Sequence, residues 1–247
     1  MLDTRLRGIA QLVRPGSRVA DIGTDHAHLP VWLVEQGVCP CAIASDLRPG
    51  PAAAAKKNIT AAGLTDRIAV RIGDGLQPIQ PGEADDLVIA GMGGETIAKI
   101  LDGAAWAKDG RYRWILQPMT RPEELRRYLL TNGYRIEQER IIQEDHRLYV
   151  VMAAAYTAAE RVEEETAYYI GALTPKEGRH FLRRQSMHLR RRADGLAHRT
   201  ASENERKRLY RLADQLMEYS GCGRDRKASS DADPIETDQP YGKDADR

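Results

Sequence analysis

The chain has 247 residues, of which 42% are hydrophobic, 30% charged and 6% aromatic, a composition that supports one or two folded cores and excludes a disordered protein. No run approaches the about 18 to 20 consecutive apolar residues that cross a bilayer, and the first residues lack the apolar core of a signal peptide. We therefore expect a cytoplasmic protein without membrane contact. Three cysteines argue against a disulfide framework and are too few for a zinc site built from cysteines alone.

The net charge of +1 conceals a strongly basic segment. Residues 1–155 carry 19 basic and 19 acidic side chains, whereas the segment from Lys176 to Arg211 carries 12 basic and 4 acidic ones. The local net charge of that segment is +8. A neutral domain followed by a basic segment keeps nucleic acid among the expected partners, and a solvated charged surface is the alternative interpretation.

Up to about residue 156, short apolar runs alternate with helical patterns, which is typical of a parallel sheet with crossover helices. Strands are predicted at 18–22, 41–45, 68–72, 87–90 and 113–117. Helices are predicted between most of them, at 29–36, at 51–62, after Gly94, and from Pro122 to the residues before Asn132. Gly37 and Gly63 suit the left-handed backbone just past a helix end, and they predict where the first two helices stop.

The last two strands of this region break the alternation. They are predicted at 134–143 and 147–156, and the connection between them is too short for the crossover that parallel neighbours require. They must form an antiparallel hairpin. Five parallel-type units ending in a hairpin match the sheet of the class I methyltransferases better than that of a dinucleotide dehydrogenase, whose sixth strand follows another helix. We therefore predict an α/β fold, with a Rossmann-like class I methyltransferase sheet over residues 1–156.

Residues 157–220 are predicted to be helical. Pro175 marks the start of one helix, and apolar residues recur at intervals of three, four and seven along it. A second helix is predicted to begin at Ser202, where Glu205 three residues later completes a capping box. Two narrow apolar stripes predict a helical hairpin. Residues 221–247 offer almost nothing to bury, which predicts a disordered tail.

Polar residues follow the first predicted strand, in the run from Asp21 to Pro30. Loops at the carboxyl ends of strands bind ligands in open α/β folds. The second and third glycines of a dinucleotide-binding loop are missing here, and Asp25 would repel a pyrophosphate. Carboxylates would instead stabilise the sulfonium and ammonium groups of S-adenosylmethionine. The sign of the charge therefore favours this methyl donor over NAD.

Two further acidic residues close the next two strands. Asp46 lies 23 residues after Gly23, close to the spacing at which a carboxylate accepts hydrogen bonds from ribose hydroxyls. Asp74, between Gly73 and Gly75, is placed to accept from an adenine amino group while the glycines let backbone approach the ring. An ordinary turn aspartate is the alternative for each, but acidic loops after three successive strands favour a binding site.

A glycine-rich segment, Ala90-Gly91-Met92-Gly93-Gly94, ends the fourth predicted strand. Such a loop lets a flat ring approach closely, and a flexible turn before a helix is the alternative. Gln117, at the end of the fifth strand, offers a base both a donor and an acceptor, although a surface glutamine is the commoner outcome.

His26 and His28, together with Asp25, are residue types that ligate transition metals. The other histidines lie outside the predicted sheet edge, so we predict no metal site. The chain also lacks a nucleophile elbow and a phosphate-binding Gly-Lys-Ser/Thr loop.

Arginines cluster in the basic segment at helical spacings that let several guanidinium groups face phosphates from one side. They are Arg183, Arg184, Arg190, Arg191 and Arg192.

Four segments followed by a basic helical hairpin resemble the bacterial tRNA (adenine-22, N1) methyltransferase family: 21–30, 73–75, 89–94 and 116–118. The resemblance covers about residues 2–220. It implies a class I methyltransferase domain that binds S-adenosylmethionine, and a coiled-coil-like C-terminal domain that helps to hold tRNA. The segment 90–93 lacks the Pro-Pro-aromatic sequence typical of amino-group (N6) methyltransferases, which agrees with a ring-nitrogen target.

Candidate roles follow from these patterns. We expect Met92 against the face of the adenine and Gln117 near its edge. Asp25 and His26 either orient the adenine and stabilise its developing charge, or only organise the donor loop. The cofactor-binding candidates are Asp21, Gly23, Thr24, Asp46, Gly73, Asp74, Gly75, Ala90 and Gly91. We expect a monomer. The alternatives are a methyltransferase acting on a protein or small molecule, and a non-catalytic RNA-binding protein with a methyltransferase fold.

Overall fold

The computed structural model describes residues 2–161, 163–196 and 203–221. These residues form two compact units, and the first unit ends at Arg161. The sequence pattern placed this boundary at residue 156, a few residues earlier. Of the tail predicted at residues 221–247, all but Gly221 lies outside the described residues.

The first unit contains a seven-stranded sheet with the strand order β3-β2-β1-β4-β5-β7-β6. All neighbours pair in parallel up to β5, and β7 runs antiparallel to both β5 and β6. The strands are β1 (Val19–Ile22), β2 (Ala42–Asp46), β3 (Ile68–Ile72), β4 (Asp86–Gly93), β5 (Arg113–Thr120), β6 (Tyr134–Glu144) and β7 (Arg147–Tyr156). The predicted Rossmann-like methyltransferase sheet with its terminal hairpin is therefore confirmed.

Five helices belong to the described part of this unit: α1 (Thr4–Ala10), α2 (His28–Glu35), α3 (Pro49–Ala61), α4 (Gly94–Asp102) and α5 (Pro122–Thr131), and a short 3-10 helix spans Ala105–Ala107. Gly37 and Gly63 follow α2 and α3 with φ of 67° and 69°, the left-handed backbone that their positions predicted. The sequence patterns predicted α2 to α5 and missed α1. None of the described helices is long and apolar enough to cross a membrane.

The strand order reverses at β1, because β2 and β3 lie on one side of it and β4 and β5 on the other. Both neighbours of β1 pair with it in parallel. Loops that leave the carboxyl ends of such neighbours diverge to opposite faces of the sheet and open a crevice. The polar loops after β1, β2 and β3 and the carboxyl end of β4 all emerge at this edge. The fold therefore brings together the segments that the sequence selected.

Strand β4 extends further than predicted and carries a bulge. Ala90 pairs with Gln117 and Met92 pairs with Pro118, so Gly91 is the extra residue between them. Its φ of 79° is open to glycine at no steric cost. The segment predicted as a loop is thus strand up to Gly93, and the bulge bends it at the carboxyl edge.

The second unit is helical in its described residues. Its helices are α6 (Glu165–Ile170), α7 (Pro175–Gly195) and α8 (Glu203–Tyr219). Leucines on α7 and α8 are buried at the predicted spacing, and the Ser186 hydroxyl donates to the Ala213 carbonyl between the two helices at 2.8 Å. Thr174 and Glu177 form a capping box at the start of α7. The predicted Ser202 cap of α8 lies outside the described residues.

Candidate active site

A cavity of about 1400 Å³ opens at the carboxyl edge of the sheet in the first unit. Twelve of the thirteen catalytic and cofactor-binding candidates line it: Asp21, Gly23, Thr24, Asp25, His26, Asp46, Gly73, Asp74, Gly75, Ala90, Gly91 and Met92. Small-molecule sites commonly occupy about 300 to 1,000 Å³, so this cavity has room for more than one ligand.

The loop after β1 is shaped by close packing against β4. Gly23 has a φ of 76°, and a Cβ at this position would collide with Cε of Met92. Its backbone N–H and that of Thr24 both donate to the Ser45 carbonyl at the end of β2. The absence of a side chain at Gly23 therefore lets this loop pack against Met92, and both residues line the cavity.

Asp21 is a buried carboxylate on this wall. The Thr24 hydroxyl donates to its Oδ2 at 2.6 Å. Burial is the main cause that raises the pKa of Asp21 to about 6, and Asp46 adds to the rise, while the Thr24 hydrogen bond and the positive charge of Arg5 oppose it. A carboxylate that is costly to ionise inside a cavity gains stability when a cationic group binds beside it.

The next residues hold a strained turn. Asp25 and Ala27 have φ of 51° and 56°, which are left-handed values that few non-glycine residues adopt. Asn58 of α3 donates to the His26 carbonyl at 2.9 Å and holds the turn from outside. The Asp25 side chain is 70% exposed, its Oδ1 lies 3.7 Å from Nε2 of His26, and the rings of His26 and His28 stack at 5.5 Å. This turn thus presents one carboxylate and two imidazoles to the cavity.

The loops after β2 and β3 meet beside this turn. Asp46 is buried at the end of β2, its Oδ1 accepts from the Arg48 backbone N–H at 2.9 Å, and its carbonyl accepts from Gly73 N–H at 3.1 Å. Asp74 is exposed to the cavity, and Gly75 packs against Ile100 of α4. The two carboxylates lie on adjacent loops, as their positions after adjacent parallel strands predicted.

An ion pair holds the remainder of the loop after β3. Arg71 donates to both carboxylate oxygens of Glu83 and to the Pro78 carbonyl at 2.7 Å. The Arg71 hydrogen bonds are the main cause that lowers the pKa of Glu83 to about 2. These contacts of Arg71 therefore link the end of β3 to the segment before β4. They hold in place the loop between the two strands, which lines the cavity.

Gln117 lies elsewhere than predicted. It is fully buried beneath the cavity wall. Its Oε1 accepts from Gly91 N–H at 3.2 Å, and its Nε2 donates to the Pro118 carbonyl at 3.0 Å. Because these backbone groups engage both ends of the carboxamide, it supports the β4 bulge and is not presented to a base.

The described residues contain no group of three or more His, Cys, Asp or Glu side chains placed to hold a metal ion. Asp25, His26 and His28 are therefore not placed to bind one ion together.

Comparison with known proteins supplies the family. Residues 2–152 match the family model described as a methyltransferase domain. The chain is also 33% identical over 223 residues to the tRNA (adenine(22)-N(1))-methyltransferase of Bacillus subtilis, and the match covers 87% of this chain and 94% of the relative. The chain belongs to the tRNA (adenine(22)-N(1))-methyltransferase family. The resemblance predicted from its motifs is thereby confirmed.

Solved structures agree with this assignment across both units. The B. subtilis m1A22 tRNA methyltransferase TrmK superposes with a TM-score of 0.77 at 33% identity, covering 89% of this chain and 99% of that one. M. capricolum TrmK, solved with the cofactor product S-adenosyl-homocysteine, superposes with a TM-score of 0.76 at 26% identity, covering 90% and 98%. The similarity to these methyltransferases thus extends beyond the sheet domain.

One wall of the methyltransferase cavity was missed by the sequence analysis. It is formed by the start of α1 and the β6–β7 hairpin, through Asp3, Arg5, Leu6, Glu144, Arg147 and Tyr149. Asp3 caps α1 by accepting from the Leu6 N–H at 2.6 Å. An aspartate before the apolar residues of this short helix was the available signal. We call these six residues the α1–hairpin wall.

The five RNA-binding candidates all lie on α7 of the methyltransferase's second unit. Arg184 is half-buried, and the other four are exposed: Arg183, Arg190, Arg191 and Arg192. Arg190 forms an ion pair with Asp214 of α8. An exposed ion pair contributes little stability, so a phosphate can take the place of the carboxylate. Desolvation is the main cause that lowers the pKa of His188, and the positive charges of Arg192 and Arg191 lower it further.

Proposed function

We propose that this protein transfers the methyl group of S-adenosylmethionine to N1 of adenine 22 in tRNA. The observation that carries the proposal is the cavity: acidic and glycine residues at the carboxyl ends of four adjacent strands line one space, in a chain that is similar to a tRNA (adenine(22)-N(1))-methyltransferase over nearly its full length. Motif and cavity therefore support the same chemistry.

The residues of the cavity fit the methyl donor. Bound S-adenosylmethionine supplies a methyl group on a positively charged sulfur. Asp21, desolvated and with its pKa raised to about 6, suits the cationic methionine end. We assign Asp46 to the ribose hydroxyls and Asp74 to the adenine amino group, with backbone access at Gly73 and Gly75; all four residues line the cavity. The binding role extends to Gly23, Thr24, Ala90 and Gly91.

The acceptor needs alignment more than proton removal. N1 of adenine already carries a lone pair at neutral pH, and its attack on the methyl leaves a positive charge on the ring. This nitrogen lies on the Watson-Crick edge, so the nucleotide must be unpaired or flipped into the cavity, at a cost of a few kcal/mol. We assign Met92, which lines the cavity, to the face of the ring. Asp25 and His26 lie where they can orient the ring and stabilise its charge.

We assign tRNA binding to the helical segment predicted at residues 157–220, and specifically to the arginines of α7. Their exposure and clustering support contact with phosphates. We further propose that the protein acts as a monomer in the cytoplasm, where its tRNA substrate is found.

The test is to map the product on defined RNA. The protein is incubated with labelled S-adenosylmethionine and a tRNA transcript, and nucleosides are identified by mass spectrometry. We expect 1-methyladenosine at position 22 and none in a transcript with guanosine at that position. Methylation of N6, of a guanosine, or of protein only would overturn the assignment.

Donor binding should depend on pH through Asp21. Because the pKa of this carboxyl is about 6 in the free protein, the neutral form dominates below that value and the ionised form above it. A cationic donor favours the ionised form, so affinity should rise with pH through 6 and fall by about tenfold per unit below it. Calorimetry of donor binding across this range measures the effect. In Asp21→Asn the pH dependence should disappear and binding should be weak throughout.

A further inference from the structure

The bulge in β4 changes how the backbone of Gly91 is held. The bulge removes Gly91 from the residue pairing with β5, between Ala90 and Met92. The Gln117 side chain accepts from the Gly91 N–H at 3.2 Å. The shape of the segment that carries Met92 therefore depends on where the Gln117 oxygen lies.

Arg5 fixes that oxygen. Its Nη1 donates to Gln117 Oε1 at 3.0 Å, so one oxygen accepts from both Arg5 and Gly91. Nε2 of Gln117 faces the Pro118 carbonyl at 3.0 Å and Sδ of Met119 at 3.5 Å. A rotation of the carboxamide would place donors against donors, and the group is fully buried. Arg5 thus holds the amide in a single orientation.

Arg5 is itself held by the hairpin. Glu144 Oε1 accepts from the Thr4 and Arg5 backbone N–H groups at 2.7 and 3.2 Å. The guanidinium lies 5.9 Å from the ring centre of Tyr149, and Nη2 lies 3.8 Å from Asp3 Oδ2. With 21% of its side chain exposed, Arg5 is largely withdrawn from solvent while remaining on the cavity wall. Contacts therefore hold both the backbone and the guanidinium of Arg5 in place.

We propose that Arg5 is a positioning residue for methyl transfer, which acts through Gln117 to fix the Gly91–Met92 segment against the acceptor base. The inference rests on the proposed function, because that function assigns Met92 to the acceptor base. Methyl transfer requires the attacking nitrogen and the methyl carbon to be aligned at about 3 to 3.5 Å, and a misplacement of 1 Å can cost about 100-fold in rate. A loosened bulge should therefore lower the rate of methyl transfer by less than this 100-fold.

The activity experiment is a double-mutant cycle on the full chain, with Arg5→Ala, Gln117→Ala and the pair. Single-turnover rates are measured with saturating tRNA and donor at about pH 8, where Asp21 remains ionised even though loss of Arg5 removes a charge that lowers its pKa. We expect each single variant to be about 10- to 30-fold slower with donor affinity within about twofold of wild type, and the pair to be no slower than Gln117→Ala.

Arg5→Lys keeps the charge and a hydrogen-bond donor group, and it should recover part of the rate. Arg7→Ala, on an exposed residue of the same helix, is the matched control and should remain at the wild-type rate.

The inference would be overturned if the rate losses of the two single variants multiplied in the double variant. An increase in the KM for tRNA with kcat unchanged would also overturn it, because Arg5 would then contact the RNA directly.

A second measurement is independent of the acceptor. Hydrogen exchange of the peptide containing Gly91 should be faster in Arg5→Ala and unchanged in Arg7→Ala. Unchanged exchange in Arg5→Ala would refute the positioning role even in a protein whose product is not 1-methyladenosine 22, whereas the wild-type product map alone decides the proposed function.

Discussion

Asp25→Asn should transfer methyl groups about 100-fold more slowly in a single turnover while binding the donor with nearly wild-type affinity. Asparagine tolerates the left-handed backbone that position 25 adopts, with φ of 51°, but it carries no charge. The variant thereby separates the two roles that remain for this residue, stabilisation of the methylated ring and organisation of the donor loop. Rapid-quench measurement of labelled tRNA, with calorimetry of donor binding, gives both quantities.

Asp25→Gly is the matched control for the backbone, because glycine adopts a positive φ without strain. A charge role predicts that both variants are slow. If asparagine and glycine both retain the rate and only Asp25→Ala loses donor binding, the carboxylate has no part in the chemistry and the turn is its whole function.

Replacing Arg190, Arg191 and Arg192 with alanine should lower tRNA affinity at low salt by about 100-fold and reduce the slope of log K against log salt by about 2 to 3. Each phosphate contact that is lost leaves its counterions in place, so the difference from wild type should shrink as salt rises. Filter binding at several salt concentrations measures both effects. Donor affinity, set by residues of the other unit, should not change.

An equal loss of charge elsewhere provides the comparison. Lys56, Lys57 and Lys108 are exposed on the first unit, away from the cavity lining. Their triple alanine variant should bind tRNA with a salt slope close to that of wild type. Equal slopes for both triple variants and wild type would place the RNA surface outside α7.

The sheet and most of the cavity could be predicted because their signals are local. A strand in a parallel sheet is a short apolar run, and its carboxyl end is marked by the polar or glycine residues that follow, as at Asp46 and Asp74. Parallel pairing then brings these loops to one edge without any knowledge of tertiary contacts. This is why residues as distant in sequence as Asp21 and Met92 were correctly placed on one cavity.

The missed features depend on contacts that no local pattern encodes. Gln117 ends a predicted strand just as Asp46 follows one, but β5 continues to Thr120, and the buried Gln117 side chain accepts from the Gly91 N–H at the bulge of the neighbouring strand. Helix α1 is only seven residues long, too short for periodicity to identify, and its role depends on Glu144. The pattern also ended β4 too early, because Gly91 and Gly93 are unusual in strands.

The attachment of Thr4 to Glu144 has a consequence for biosynthesis. The two residues are 140 positions apart, and Arg5 meets Gln117 across 112 positions. A nascent chain makes α1 first and the hairpin last within this unit, so the α1–hairpin wall cannot close until nearly the whole unit has left the ribosome. Contacts of such long separation also slow folding, because the chain closes a large loop before it gains their energy. The donor-binding loops, encoded between these ends, can therefore assemble before the wall that completes the cavity.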